Sequence, residues 1–198
     1  MRTGAVAALS VEYFMKEDAK VISMMGLGQI AKATFKCLMS LDALANHPLK
    51  IRLLRYKDQA ERFAQEFENY SNVEFEIVQT PQELVDGADV IISAVTYAQE
   101  LICPQNELYK KGVTLIPVHT RGFQNCDLFF DKVFVDDIGH VKGFKYFNQF
   151  KQVEEFSNVI LANARGRESN EERVLCYNIG LGLHDAYYAT RIFEILTE

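Results

Sequence analysis

Met24-Met25-Gly26-Leu27-Gly28-Gln29-Ile30-Ala31 fits the pattern G-x-G-x-x-G/A, and its flanks decide how it is read. The apolar run 20–25 ahead of it reads as a strand. The stretch 29–44 behind it has helical spacing and is ended by Asn46, His47 and Pro48. A glycine turn between a strand and a helix is the setting in which this motif cradles a phosphate. Gly26 would permit the tight turn, Gly28 would let the backbone approach a pyrophosphate, and Ala31 would keep the helix close to the sheet. The free N–H groups of Gln29, Ile30 and Ala31 and the positive end of the helix then face the anion. The alternative is a glycine turn in a sheet that binds nothing; the placement and the strands that follow favour the nucleotide.

Outward from this turn, strands alternate with helices. Residues 4–14 read as a helix, 51–54 as the second strand, 58–67 as a charged helix and 73–78 as a strand with alternating polarity. Pro81 opens a short helix through Val85. The nearly continuous apolar runs 88–95, 113–118 and 133–135 have the composition of parallel strands buried on both faces. The pattern predicts an α/β fold of Rossmann type, a doubly wound and mostly parallel sheet with flanking N- and C-terminal helices. Further on, 150–162 looks helical, 174–177 a strand and 182–196 a long helix that packs back on the first. The expected partition is a helix leading in from a missing substrate domain (1–19), a nucleotide-binding domain (20–150) and a segment returning to the substrate domain (151–198).

Composition sets broad limits. A chain of 198 residues buries roughly 70–75% of its unfolded surface and needs no metal or disulfide staple. The net charge of −6, with both signs mixed along the chain, lacks the clustered basic stripe of a nucleic-acid surface. No apolar run is long enough to cross a bilayer, and the N-terminus has no signal-peptide stretch. Cys37, Cys103, Cys126 and Cys176 are scattered without metal spacing and read as reduced thiols in a cytoplasmic protein.

The second strand bears on which nucleotide is taken. Sites for NAD usually end this strand in Asp or Glu, but here Arg55-Tyr56-Lys57 follows and no carboxylate comes before Asp58. Arg55 and Lys57 suit a 2′-phosphate, and Tyr56 can lie against adenine, so NADP is favoured slightly over NAD. A solvated charged turn is the other reading of these residues.

Several separate segments, in order, carry a family resemblance. Arg2-Thr3-Gly4-Ala5, Gly87-Ala88-Asp89-Val90-Ile91 running into Ala94-Val95-Thr96, Gly166-Arg167-Glu168 with Glu171 and Glu172, and Gly180 to Asp185 with Ala186 and Ala189 resemble motifs of the ornithine cyclodeaminase/mu-crystallin family. The resemblance implies an NAD(P)-dependent enzyme, an oxidoreductase or cyclodeaminase, acting at the amine carbon of a small amino acid or its imine. It implies that Arg2 holds the substrate carboxylate, a job suited to a guanidinium fork. It places Ala94, Val95 and Thr96 beside the nicotinamide.

Two departures accompany the resemblance. Family members carry a further segment ahead of the Arg2 motif, so the expectation is a truncated reading frame, half of a split enzyme or a reduced binding protein. The family's loop after the fifth strand reads like G-x-D-x-P-G-K-x-E, whereas 118–127 reads VHTRGFQNCD. His119 and Asp127 are the candidate acid/base residues there. That loop leaves the carboxyl end of a parallel strand, where open sheets bind ligands, so His119, Thr120, Arg121 and Asn125 should line the edge and Arg121 suits a phosphate or carboxylate. Asp136, Asp137 and His140 read as a turn rather than a metal site, and Ser93 lacks the flanking pattern of a hydrolase. Partners expected are the amino-acid or imine substrate and either a second copy or a complementing N-terminal chain. The rival to an enzyme is a nucleotide-binding protein or subunit without turnover.

Overall fold

Every strand of this chain runs parallel to its neighbours, so the loops that follow the strands all leave from one edge of the sheet. The computed structural model describes residues 1–197. The strands are β1 (Val21–Met25), β2 (Leu49–Leu54), β3 (Val73–Val78), β4 (Val90–Ser93), β5 (Thr114–Pro117), β6 (Lys132–Val135), β7 (Val153–Glu155) and β8 (Val174–Tyr177). They form one eight-stranded sheet in the order β3-β2-β1-β4-β5-β8-β6-β7. The order reverses between β1 and β4, the crevice where doubly wound sheets take their ligands. The chain therefore has the predicted Rossmann-type α/β architecture.

The helices are α1 (Arg2–Phe14), α2 (Gln29–Leu38), α3 (Asp42–Ala45), α4 (Gln59–Glu66), α5 (Pro81–Val85), α6 (Ile138–Val141), α7 (Phe156–Ile160) and α8 (Gly182–Thr197). Strands β4, β5, β6 and β8 are buried at every position, which explains their unbroken apolar sequence. One cluster packs α1, α2 and α4 on the sheet around Phe14, Phe35 and Phe63; the other gathers Tyr109, Phe123, Phe130 and Tyr177. Helix α1 lies so close to α2 that a Cβ on Gly4 would stand 2.6 Å from the nitrogen of Thr34.

Two expectations change. The helix expected over 29–44 ends at Leu38, where the Ser40 hydroxyl donates to the carbonyl of Cys37 at 2.7 Å and the chain turns before α3. The helix expected over 150–162 is mostly something else: 153–155 add a strand to β6, in register Val133↔Val153, and only one turn of helix follows. The open side of β6 offered backbone partners that local spacing could not reveal. Strands β7 and β8 belong to the same sheet as β1–β6, and β8 inserts between β5 and β6. Of the segment 151–198, α8 is the element that leaves the sheet; the described part of that helix has no buried residue.

The amino edge of the sheet is held by Asp89. Its Oδ2 accepts from the N–H groups of Lys20 and Val21 at 2.8 and 2.9 Å, and its Oδ1 pairs with Lys110 at 2.6 Å and Lys16 at 3.0 Å. Burial alone would raise this carboxyl, but Lys110, the two N–H groups and Lys16 outweigh it and hold it at about 2. A folded value below that of the unfolded chain means a contribution present above about pH 4 and lost as pH falls toward 2. Asp89→Asn is expected to cost about 2 kcal/mol near pH 7, with the difference from the parent shrinking below pH 4. Urea melts from pH 7 to pH 2 check this, and parallel curves at all pH values would refute it.

Candidate functional site

The glycine turn follows β1 directly. Gly26 sits at φ +72°, and a Cβ there would overlap the carbonyl carbon of Ala94 and the nitrogen of Val95. The turn therefore lies against the loop that follows β4, which brings Gly26 to Ala94-Val95 as the sequence-based reading expected of one site. Gly28 differs in kind. Its backbone is extended, it caps α2 without any side-chain bond, and a Cβ on it would meet nothing within 4 Å. The backbone at Gly28 thus faces open space at the start of a ten-residue helix, whose first N–H groups have no partner within the helix. Gln29 and Ile30 are exposed beside it, and Ala31 is fully buried against the sheet. These features fit a dinucleotide pyrophosphate: a bare backbone approach, free donors and a positive helix end.

At the end of β2, Tyr56 is exposed, Lys57 has φ 53° and its ammonium lies 5.5 Å from the Tyr56 ring. Arg55 is half-exposed and pairs with Glu61 of α4 at 2.6 Å. No carboxylate stands between Leu54 and Asp58, and Asp58 itself pairs with Arg62.

His119 and Ser93 meet at the ends of β5 and β4. Ser93 Oγ and His119 Nε2 are hydrogen-bonded at 2.6 Å, the direction depending on the histidine tautomer, and His119 Nδ1 is buried without a hydrogen-bond partner among the described residues. Burial lowers the affinity of this imidazole for a proton. Ser93 was not foreseen as its partner; the available signal was its place as the last polar residue of a buried apolar run.

The structure separates the two acid/base candidates. Asp127 is fully buried, its Oδ1 accepts from the Tyr177 hydroxyl at 2.7 Å, and its Oδ2 has no partner among the described residues. Burial, only partly opposed by Tyr177, pushes this carboxyl up to about 6. Arg2 lies at the same sheet edge, since α1 runs from there to the amino edge. Its fork is engaged: Nε and one terminal nitrogen donate to the Asp185 carboxylate at 2.8 and 3.0 Å. Thr120, Arg121 and Asn125 line a cleft of about 640 Å³ beside the turn-forming loops; His119 does not line it. Residues after β6, Lys145 and Tyr146 among them, complete that cleft and carried no motif in the sequence. Asp136 and Asp137 serve the chain itself, accepting from Gly180 N and His140 N respectively.

Comparison with known proteins places this geometry. The profile of the ornithine cyclodeaminase/mu-crystallin family matches residues 1–198. The nodulation efficiency protein NfeD of Rhizobium meliloti is 22% identical over 202 residues, covering 98% of this chain and 61% of that protein. Among solved structures, the Δ1-pyrroline-2-carboxylate reductase of Thermococcus litoralis, in complex with NADH and L-proline, superposes with a TM-score of 0.79 at 21% identity, over 98% of this chain and 63% of that one. An archaeal alanine dehydrogenase dimer with bound NAD gives 0.80 at 18% identity, over 97% and 62%. The chain thus spans about three-fifths of the length of the relatives it matches.

The two glycines separate fold from binding. Gly26→Ala should lose roughly 1–2 kcal/mol from the left-handed backbone alone and more from the overlap with Ala94. Gly28→Ala should melt like the parent, because its Cβ enters open space. Thermal melts of both variants check this; a Gly28→Ala chain as unstable as Gly26→Ala would contradict the open cradle.

Proposed function

The chain belongs to the ornithine cyclodeaminase/mu-crystallin family, and from that membership we propose that it is an NAD(P)-dependent oxidoreductase or cyclodeaminase-like protein acting on a small amino acid or its imine. The observation that carries the reading is the open backbone at Gly28, at the head of α2 and two residues after Gly26, which lies against Ala94 and Val95. Gly26, Gly28, Gln29, Ile30 and Ala31 hold the pyrophosphate. Arg55 and Lys57 take a 2′-phosphate, with Glu61 giving up Arg55, and Tyr56 covers the adenine. Ala94, Val95 and Thr96 border the nicotinamide, which when bound accepts or returns the hydride at the amine carbon.

Of the two acid/base candidates, His119 suits the role. It stands at the sheet edge where open sheets bind ligands, burial keeps it neutral near pH 7, and its Nε2 is reached through the bonded Ser93 hydroxyl, which would pass on a proton from a substrate ammonium. Ser93 fixes the ring through Nε2. Asp127, buried beneath the loop and bonded by Tyr177, acts on the loop's shape rather than on substrate. Leu183, Phe193, Ile195 and Leu196 are exposed around α8, and this helix is the element an assembly with a second copy or a complementing N-terminal chain would cover.

One specific observation favours a rival, a nucleotide-binding subunit without turnover of its own. The Arg2 guanidinium, assigned by resemblance to the substrate carboxylate, is already paired bidentately with Asp185.

Fluorescence titration with NADPH and NADH tests the reading. Binding of NADPH is expected to weaken about tenfold or more in Gly28→Ala, a loss of about 1.4 kcal/mol. Arg55→Ala should shift the preference toward NADH. No binding of either nucleotide, in a preparation shown by sedimentation to be assembled, defeats the proposal. Amino-acid-dependent reduction of the nucleotide separates enzyme from binding subunit. For the enzyme, the rate should fall as pH drops through the depressed His119 value, below 6.5, since the neutral imidazole is the base. His119→Gln should lower kcat by about a hundredfold or more and remove that acid limb. An unchanged pH profile in the variant would clear His119 of the role.

A further inference from the structure

The cleft of about 640 Å³ between the loops following β4, β5 and β6 has the size of a small-ligand site and an unusual charge arrangement. Arg121 and Lys145 line it, and neither makes an ion pair or side-chain hydrogen bond with any described residue; Lys145 rests 4.7 Å from the centre of the Tyr146 ring. Glu100 lines the same cleft and is likewise without a cationic partner among the described residues. Elsewhere the exposed cations are commonly matched, as Arg55 is to Glu61 and Lys111 to Glu171. Leu101 and Leu128 stand exposed on the cleft wall, an apolar surface open to a short methylene chain.

We propose that this cleft binds an amino dicarboxylic acid or its imine, with Arg121 and Lys145 meeting carboxylates and Glu100 the nitrogen. Two cations and one anion complement a ligand with two carboxylates and one ammonium, whereas a diamine or a neutral side chain leaves one cation unmatched. A guanidinium suits a carboxylate because its parallel N–H groups pair with both oxygens. Arg121 and Thr120 line the cleft from the same loop that carries His119, which itself lies outside the lining. The inference names the substrate class of the enzyme proposed above and rests on that reading for its chemistry.

Calorimetric titration of the whole chain with L-glutamate, L-aspartate, L-ornithine, L-alanine and inorganic phosphate tests it, first alone and then with NADPH. One of the two dicarboxylates should bind about tenfold or more tighter than ornithine, alanine or phosphate. Arg121→Ala and Lys145→Ala should each remove that advantage while leaving the melting temperature and NADPH affinity unchanged. Dicarboxylates bound no better than alanine, phosphate competing as well as glutamate, or variants that bind like the parent would each overturn the proposal. A chain that selects a dicarboxylate yet takes no nucleotide upholds the cleft and removes the oxidoreductase reading instead.

Discussion

Arg167 ties together three parts of the chain that sequence keeps far apart. Its Nε donates to the carbonyl of Phe14 at the end of α1, and its two terminal nitrogens reach Gly112 O, Thr114 Oγ1, Ser169 O and Glu172 O. Thr114 adds its own bond to Phe14 O at 2.7 Å. A guanidinium this buried is costly unless its donors are satisfied, and here each nitrogen has an oxygen. The clamp holds the segment leading into β8 against the start of β5, where the two strands pair in register Thr114↔Val174 and the sheet continues through β8 to β6 and β7. It also pins the last turn of α1, leaving the first turn and Arg2 at the opposite edge.

The two edges of the sheet consequently do different work. At the amino edge, Asp89 and Arg167 bond mainly to backbone and to fixed ion-pair partners, with nothing left over for a ligand. At the carboxyl edge, groups are uncommitted among the described residues: the open backbone of Gly28, the Nδ1 of His119, and the charges of Arg121, Lys145 and Glu100. Parallel pairing is what allows this separation, because it sends every strand-ending loop to one side. The cost falls on α1 and α8, which flank that side. The first is buried tightly on α2 through Gly4, whereas the second is joined to it by the Arg2–Asp185 pair and, over its described residues, keeps its apolar side chains exposed.

Local patterns reported accurately wherever one segment alone determined the outcome. The strand-turn-helix at 21–38, the short helix opened by Pro81, and the unbroken apolar strands were legible because each is stabilised by its own periodicity, its first-turn proline or burial on both faces. The reading failed at 150–162, where helical spacing lost to an available strand edge, and ran too far at 39–44, where a turn at 39–41 divides α2 from α3. Asp127 shows the same limit for a site residue. Its loop position made it a candidate, but only packing beneath Tyr177 put it out of reach of solvent.

The sequence by itself determined the fold class, the glycine turn and its helix, and the absence of a carboxylate at the end of β2, since these depend on residue type and short-range spacing. Tertiary structure alone decided the place of β8 between β5 and β6, the bidentate capture of Arg2 by Asp185, the pairing of His119 with Ser93, and the convergence of three loops on one charged cleft. The physical reason is separation along the chain: Arg2 and Asp185 are 183 residues apart. Contacts of that kind are chosen by the packing of the whole sheet, and no local period in either segment says that the two residues meet.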